Sequence, residues 1–252
     1  MKILLVNDDG YNRGGLPSLL KVLKERGHEI WVSAPERNRS AFSHSMNLSK
    51  PIVFTSFGKN KYYCTGTPAD CVLYAINGNI FPSMPDLVIS GINNGPNCST
   101  DISYSGTCAA AREAIYKKIP AIALSQDFPR DRERGFDYES CAKWTADNLD
   151  KLFKLTSLDS FVNVNFPNPF SDIVEVGEIG FVEYPDYPRR TRIDDKSFVM
   201  ELPEGGASGI DMRGKGKGDL EIMREGKISI NITDCLPVVD EEMIKKAREM
   251  FR

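Results

Sequence analysis

The hydrophobic and polar positions of the chain alternate between two periods. Ile3–Val6 is a continuous apolar run, the pattern of a strand buried on both faces. Leu16, Leu19, Leu20 and Leu23 then recur at helical spacing, with Pro17 near the start and Gly27 past the end as terminus signals. Ile30–Ala34 reads as a second strand, and residues 51–64 as strand, Gly-Lys-Asn turn, strand. A helix is predicted from Pro68 to about Ile76. Strands follow at Asp86–Ser90, Ala121–Leu124 and Phe161–Val164, with helices at Ala109–Tyr116 and 138–155. The last of these turns Trp144, Leu149 and Phe153 inward. Strands alternating with helices predict βαβ units, hence an α/β fold: a Rossmann-like three-layer core with a mostly parallel sheet and right-handed crossovers.

After about residue 168 the pattern changes. Pro, Arg and charge dominate 184–196, and 204–219 (EGGASGIDMRGKGKGD) is rich in Gly and Lys. The stretch 184–219 reads as a long hairpin or loop excursion of the kind that serves oligomer contacts, or as a lid. Residues 227–233 (KISINIT) alternate as a strand, and 239–251 form a terminal helix. The expected organisation is one domain over 1–252, with a core over about 1–168 and a C-terminal extended arm and terminal helix over about 169–252.

Composition narrows the classes of function. The apolar fraction of 41% and charged fraction of 27% are those of a globular protein with a core. The net charge of −3, from 32 basic and 35 acidic residues, gives no general attraction to a nucleic acid duplex or an anionic membrane. No apolar stretch approaches the roughly 20 residues of a membrane helix, and the first strand, broken by two aspartates, does not read as a signal peptide. The six scattered cysteines, without a CxxC pair, read as free thiols in a reducing cytoplasm.

Three polar clusters fall where parallel strands end, the edge at which open α/β sheets bind ligands, and a fourth opens a helix. They are Asn7-Asp8-Asp9-Gly10, APERNRSAFSHS (34–45), SGINNGPN (90–97) and SYSGT (103–107). Singly, each is explained as a cap or a turn. Together, two carboxylates with Ser and Asn oxygens make a hard donor set suited to Mg²⁺ or Mn²⁺ rather than zinc. A helix start at Ser105-Gly106-Thr107 attracts an anion, and a metal beside a phosphate pocket means phosphoryl chemistry. Paired acids after a first strand also open response-regulator receivers, but 48–63 lacks the phospho-accepting Asp. The aspartates are adjacent rather than Asp-x-Asp, which weakens a haloacid-dehalogenase-type phosphatase. No Gly-x-Gly-x-x-Gly marks a dinucleotide site.

NDDG, APERNRSAFSHS, GTPADC (66–71), SGINNGPN and YSGT (104–107), in this order and spacing, resemble the SurE survival-protein family over roughly residues 1–125. GKISINITDCLP resembles the family's late strand more weakly. The resemblance implies a metal-dependent 5'/3'-nucleotidase acting on nucleoside monophosphates and other small phosphomonoesters, with a possible side activity on short polyphosphate. It implies one divalent metal ion per subunit, held by Asp8, Asp9, Ser40 and Asn93, and a homodimer or homotetramer built through the C-terminal arm. Phe42 departs from the small residues many members carry and is expected to reshape the pocket mouth. The expected reaction is direct attack of a metal-activated water on phosphorus, with Asp8 or Asp9 orienting it. Asn97, Ser105 and the amides of Gly106 and Thr107 would hold phosphate oxygens, and His44 is a candidate general acid. GTPADC reads separately as helix-start chemistry. The other classes left open are a non-catalytic nucleotide-binding regulatory module on the same fold and a glycosyltransferase-like enzyme.

Overall fold

The computed structural model describes residues 1–251 apart from 130, 132, 134, 185–187, 203–208, 212–215 and 238–239. Strand β1 (Lys2–Val6) leads into α1 (Leu16–Glu25) and β2 (Glu29–Pro35). The hairpin β3 (Phe54–Gly58) and β4 (Lys61–Cys64) precedes α2 (Pro68–Asn77). Strand β5 (Leu87–Asn94), a short 3-10 turn over Ser99–Ser103, α3 (Gly106–Tyr116) and β6 (Ala121–Gln126) follow. Then come α4 (Tyr138–Asp147), α5 (Leu149–Leu155) and β7 (Ser160–Phe166). The remainder holds β8 (Val174–Val176), β9 (Phe181–Glu183), β10 (Arg189–Arg192), β11 (Phe198–Glu201), β12 (Gly209–Asp211), α6 (Asp219–Arg224), β13 (Ile228–Asp234) and α7 (Glu241–Met250).

Among the described residues the main sheet runs β3-β4-β2-β1-β5-β6-β7-β13-β8. The six central strands from β4 to β7 are parallel neighbours; β3 is antiparallel to β4, and β13 is antiparallel to β7 and parallel to β8. The α/β class and the parallel sheet are as the sequence predicts. Side chains of β1 divide between two cores: Ile3 and Leu5 join Leu16, Leu19 and Leu23 of α1 and Cys141 of α4, whereas Leu4 and Val6 join Val72 of α2 and Ala110 and Ala114 of α3. Burial on both faces is the reason the first strand carries no alternation.

The predicted 138–155 helix is two helices. The chain leaves α-geometry at Asn148 (φ −109°, ψ 9°), whose amide donates to the Trp144 carbonyl at 3.0 Å and ends the first segment. Strand β5 also runs further than its apolar part, through Gly91 to Asn94, with its pairing to β6 interrupted between Ser90 and Asn93. Gly91 (φ +130°) lies where a Cβ would collide with the Leu124 carbonyl, so this irregularity needs glycine. GTPADC is a helix start: Thr67 and Asp70 form a reciprocal capping box with Pro68 in the first turn. The 184–219 excursion contains the hairpin β10–β11, in register from Arg189↔Glu201 to Arg192↔Phe198. Much of the Gly- and Lys-rich 204–219 stretch lies outside the described residues. Its last residue, Asp219, opens α6, a helix that no pattern in the sequence predicts. No helix among the described residues is long and apolar enough to cross a membrane.

Candidate active site

Strand order reverses between β1 and β5: the chain proceeds from β1 to β2 on one side and from β5 to β6 and β7 on the other. This is the switch point at which an open α/β sheet leaves a crevice at its carboxyl edge. Asp8 and Asp9 leave β1 there, and Asn93 lies at the end of β5. The loop after β2 reaches the same place because the Arg39 N–H donates to the Asp8 carbonyl at 2.7 Å. Asp8, Ser40, Ala41, Asn93–Asn97, Asp101, Tyr104, Ser105 and Phe128 line one cavity of about 240 Å³.

Both aspartates are buried, with 3% and 5% of their surface exposed. Asp8 Oδ1 accepts from Thr107 Oγ1 at 2.8 Å, and Asp9 Oδ2 accepts from the Asn94 N–H at 3.2 Å. Desolvation pushes the Asp8 carboxyl above its usual range despite the Thr107 hydroxyl and the amides of Thr107 and Gly106. Burial and the neighbouring Asp8 charge raise Asp9 to about 7; Arg13 offsets this only in part. A buried carboxylate pair without a closely paired cation is costly, and a divalent ion is the group that relieves it. The donor chemistry fits: Asn93 gives its amide N–H to the Gly95 carbonyl at 2.8 Å, which leaves its oxygen as the end free to ligate. Ser40 lines the same cavity from an exposed turn pinned by Asn38 Oδ1 on the Ser40 N–H at 2.6 Å. Such a set holds oxygen donors alone, the preference of a hard cation.

Other expected residues occupy different positions. Ser105 caps α3 by accepting from the Cys108 N–H at 3.0 Å and also lines the cavity. Gly106 packs against Asp8, where a Cβ would come within 2.9 Å of the Asp8 Cβ and Oδ2. Thr107 and Gly106 thus both contact Asp8. His44 is not brought to the cavity. Its Nε2 lies 2.9 Å from Glu113 Oε2, its ring stacks on Tyr116 at 5.5 Å, and it lines a separate cavity with Arg112 and Asp234. Phe42 faces another neighbouring cavity of about 360 Å³, with the Arg39 guanidinium 5.5 Å from its ring, so it shapes that cavity rather than the mouth of the Asp8 one.

The residues that hold the expected Asn97 from behind were not among those the sequence marked: its N–H donates to Asn165 Oδ1 at 2.8 Å, its amide to Ser125 Oγ at 2.8 Å, and its carbonyl accepts from Asn163 at 2.9 Å. The signal was present in SFVNVNF, where two asparagines at alternate positions of a buried strand share one face. Asp101 joins the cavity wall, and burial raises its carboxyl although the Tyr184 hydroxyl donates to it at 2.6 Å. Tyr104 and Phe128 complete the rim, and no pattern in the sequence marks Phe128.

A crevice at the switch point of an open, mostly parallel sheet, with two buried carboxylates beside a capped helix start, places the protein among α/β proteins whose ligand site lies at the carboxyl edge of the strands. The comparisons give the family. The family model "Survival protein SurE" matches residues 3–184, and the chain belongs to that family. A Campylobacter jejuni (strain 81-176) protein named 5'-nucleotidase SurE is 47% identical over 172 residues, 66% of either chain. A Campylobacter lari protein of the same name is 38% identical over 234 residues, 91% of this chain and 90% of that one. The crystal structure of the SurE protein from Aquifex aeolicus matches with a TM-score of 0.81 at 30% identity, covering both chains in full.

Proposed function

We propose that this protein is a divalent-metal-dependent 5'-nucleotidase that hydrolyses nucleoside monophosphates to nucleoside and phosphate. The relatives so named support the activity. The observation that carries it to this chain is the buried Asp8–Asp9 pair at the switch point, whose burial raises both carboxyls although Thr107, Asn94 and Arg13 offset part of the cost. Asp8, Asp9, Ser40 and Asn93 hold the ion, Mg²⁺ or Mn²⁺. When bound, the ion neutralises phosphate oxygens and lowers the pKa of water.

The chain's own groups do the rest. Thr107 fixes Asp8 by donating to its Oδ1, and Gly106 packs against the same carboxylate. An uncommitted oxygen of the pair takes the proton of the attacking water. Asn97 has one amide N–H on Ser125; the second, with the Ser105 hydroxyl, meets the phosphate oxygens where charge builds up. The leaving alkoxide takes its proton from solvent at the open mouth, since His44 faces Glu113 instead.

Within 169–252, the exposed hairpin β10–β11 and helix α7 are assigned to contacts between copies, whereas β8 and β13 belong to the main sheet. Phe198, Met200, Met243 and Met250 on β11 and α7 are exposed, and α7 buries none of its residues. The six buried, unpaired cysteines fit a reducing cytoplasm.

The test is release of phosphate from AMP in Mn²⁺ and in EDTA. Metal-dependent release, lost in Asp8→Asn with the fold retained, is expected. A protein that binds AMP and releases no phosphate with any divalent ion is a binding module, and the proposal fails.

A further inference from the structure

The 240 Å³ cavity is too small for a whole nucleotide, because pockets that enclose ligands of that size run to roughly 300–1,000 Å³. With the phosphate at Asp8, Asn97 and Ser105, the nucleoside projects past the mouth. Two aromatic residues stand on that wall, Tyr104 at 62% and Phe128 at 59% exposure. Large rings left in water beside a polar cavity gain nothing from the fold itself.

Both are held in place. Phe128 rests on Gly95, which has φ +114° and lies so close that a Cβ there would meet the ring at 2.5 Å. On its flank the Phe136 ring meets it edge-on, with centroids 6.4 Å apart at 67°. Phe136 in turn stacks on Tyr138 at 5.1 Å and 4°, and the Tyr138 hydroxyl lies 3.4 Å from Asn94 Oδ1. Phe128 is therefore supported from beneath and from one side while an outer surface remains open. Tyr104 directly precedes the Ser105 cap, and its carbonyl accepts from the Ser43 N–H at 3.0 Å. The backbone that places the phosphate ligand also places this ring.

We propose that Tyr104 and Phe128 form the nucleobase platform of this enzyme, stacking the base of a nucleoside monophosphate whose phosphate occupies the Asp8 cavity. The inference rests on the nucleotidase reading and adds the specificity element to it. Stacking reads the π-face that every base has, so the platform accepts all four bases, purines better than pyrimidines. It separates nucleotides from sugar phosphates lacking a base.

The experiment measures kcat/KM with Mn²⁺ for AMP, GMP, CMP and UMP against ribose 5-phosphate. The proteins are the wild type, Tyr104→Ala, Phe128→Ala, the ring-retaining Tyr104→Phe and Phe128→Tyr, and Phe42→Ala in the neighbouring cavity. Each alanine variant is expected to lose roughly 5- to 150-fold on AMP, mainly through KM. Its loss on ribose 5-phosphate should be several-fold smaller, and the ring-retaining variants should recover AMP turnover to within about threefold. Equal losses on AMP and ribose 5-phosphate, or a selective AMP loss in Phe42→Ala alone, overturn the platform while leaving the phosphatase intact. A wild type that favours ribose 5-phosphate as strongly as AMP does the same. Absence of phosphate release from every ester removes the nucleotidase reading and the platform with it.

Discussion

Thr107→Val tests whether the interior hydrogen bond to Asp8 sets metal affinity. Thr107 is fully buried, Asp8 is 3% exposed, and the hydroxyl donates to Oδ1 at 2.8 Å. Valine keeps the branched shape, so little cavity opens and the change is close to removal of one donor. A hydrogen bond to a charged group contributes about 1.5–3 kcal/mol. The amides of Gly106 and Thr107 still serve the carboxylate, so the lower half of that range applies. At 1.4 kcal/mol per tenfold, about 1.5–2 kcal/mol corresponds to roughly 10- to 30-fold weaker Mn²⁺ binding, within the range known for groups that orient metal ligands. Calorimetric titration of Mn²⁺ and the Mn²⁺ midpoint for phosphate release from AMP should shift together, with turnover at saturating metal reduced far less. A folded variant with unaltered Mn²⁺ affinity would refute the argument that Thr107 positions Asp8 for a cation.

Four further outcomes are expected. Asp8→Asn should abolish metal-dependent hydrolysis yet melt in EDTA no lower than the wild type, because it removes like-charge repulsion; thermal unfolding checks this. In EDTA the Asp9 carboxyl, raised to about 7 from 3.8, binds its proton more tightly folded than unfolded. The contribution of this group is therefore complete below about pH 4 and is lost as pH rises towards 7, by up to about 1.4 kcal/mol per pH unit. Asp9→Asn should flatten the wild-type decline, and parallel pH profiles would contradict the sign. His44→Gln should change kcat on AMP by less than tenfold, whereas a loss of roughly 10²- to 10⁴-fold would restore a general-acid role. Asp70→Ala should cost about 1–2 kcal/mol in urea unfolding, since it removes half of the capping box at α2 and the contacts from Asn47. No loss would mean that neither contact matters.

Local pattern was enough for much of the fold. The unbroken apolar run of β1, the helical spacing of α1 and the strand–helix alternation required a parallel sheet buried on both faces, because no other arrangement hides those side chains. The clusters at strand ends were readable for the same reason: carboxylates, Ser and Asn in the segments that follow β1, β2 and β5 have to share one edge of that sheet. The family resemblance then named the donors among them. What neighbouring residues along the chain do not encode is which polar group each hydrogen-bonding atom meets. Thr107 serving Asp8, His44 turning to Glu113, and Asn163 and Asn165 bracing Asn97 join positions 99, 69, 66 and 68 residues apart. The break at Asn148 and the extension of β5 through Gly91 likewise follow from packing against other elements. The sequence by itself determined the layers and the chemistry available at the edge. Tertiary structure decided which of those groups face the cavity and which are consumed holding the others still, because burial and hydrogen-bond partnership are properties of positions in space rather than of order along the chain.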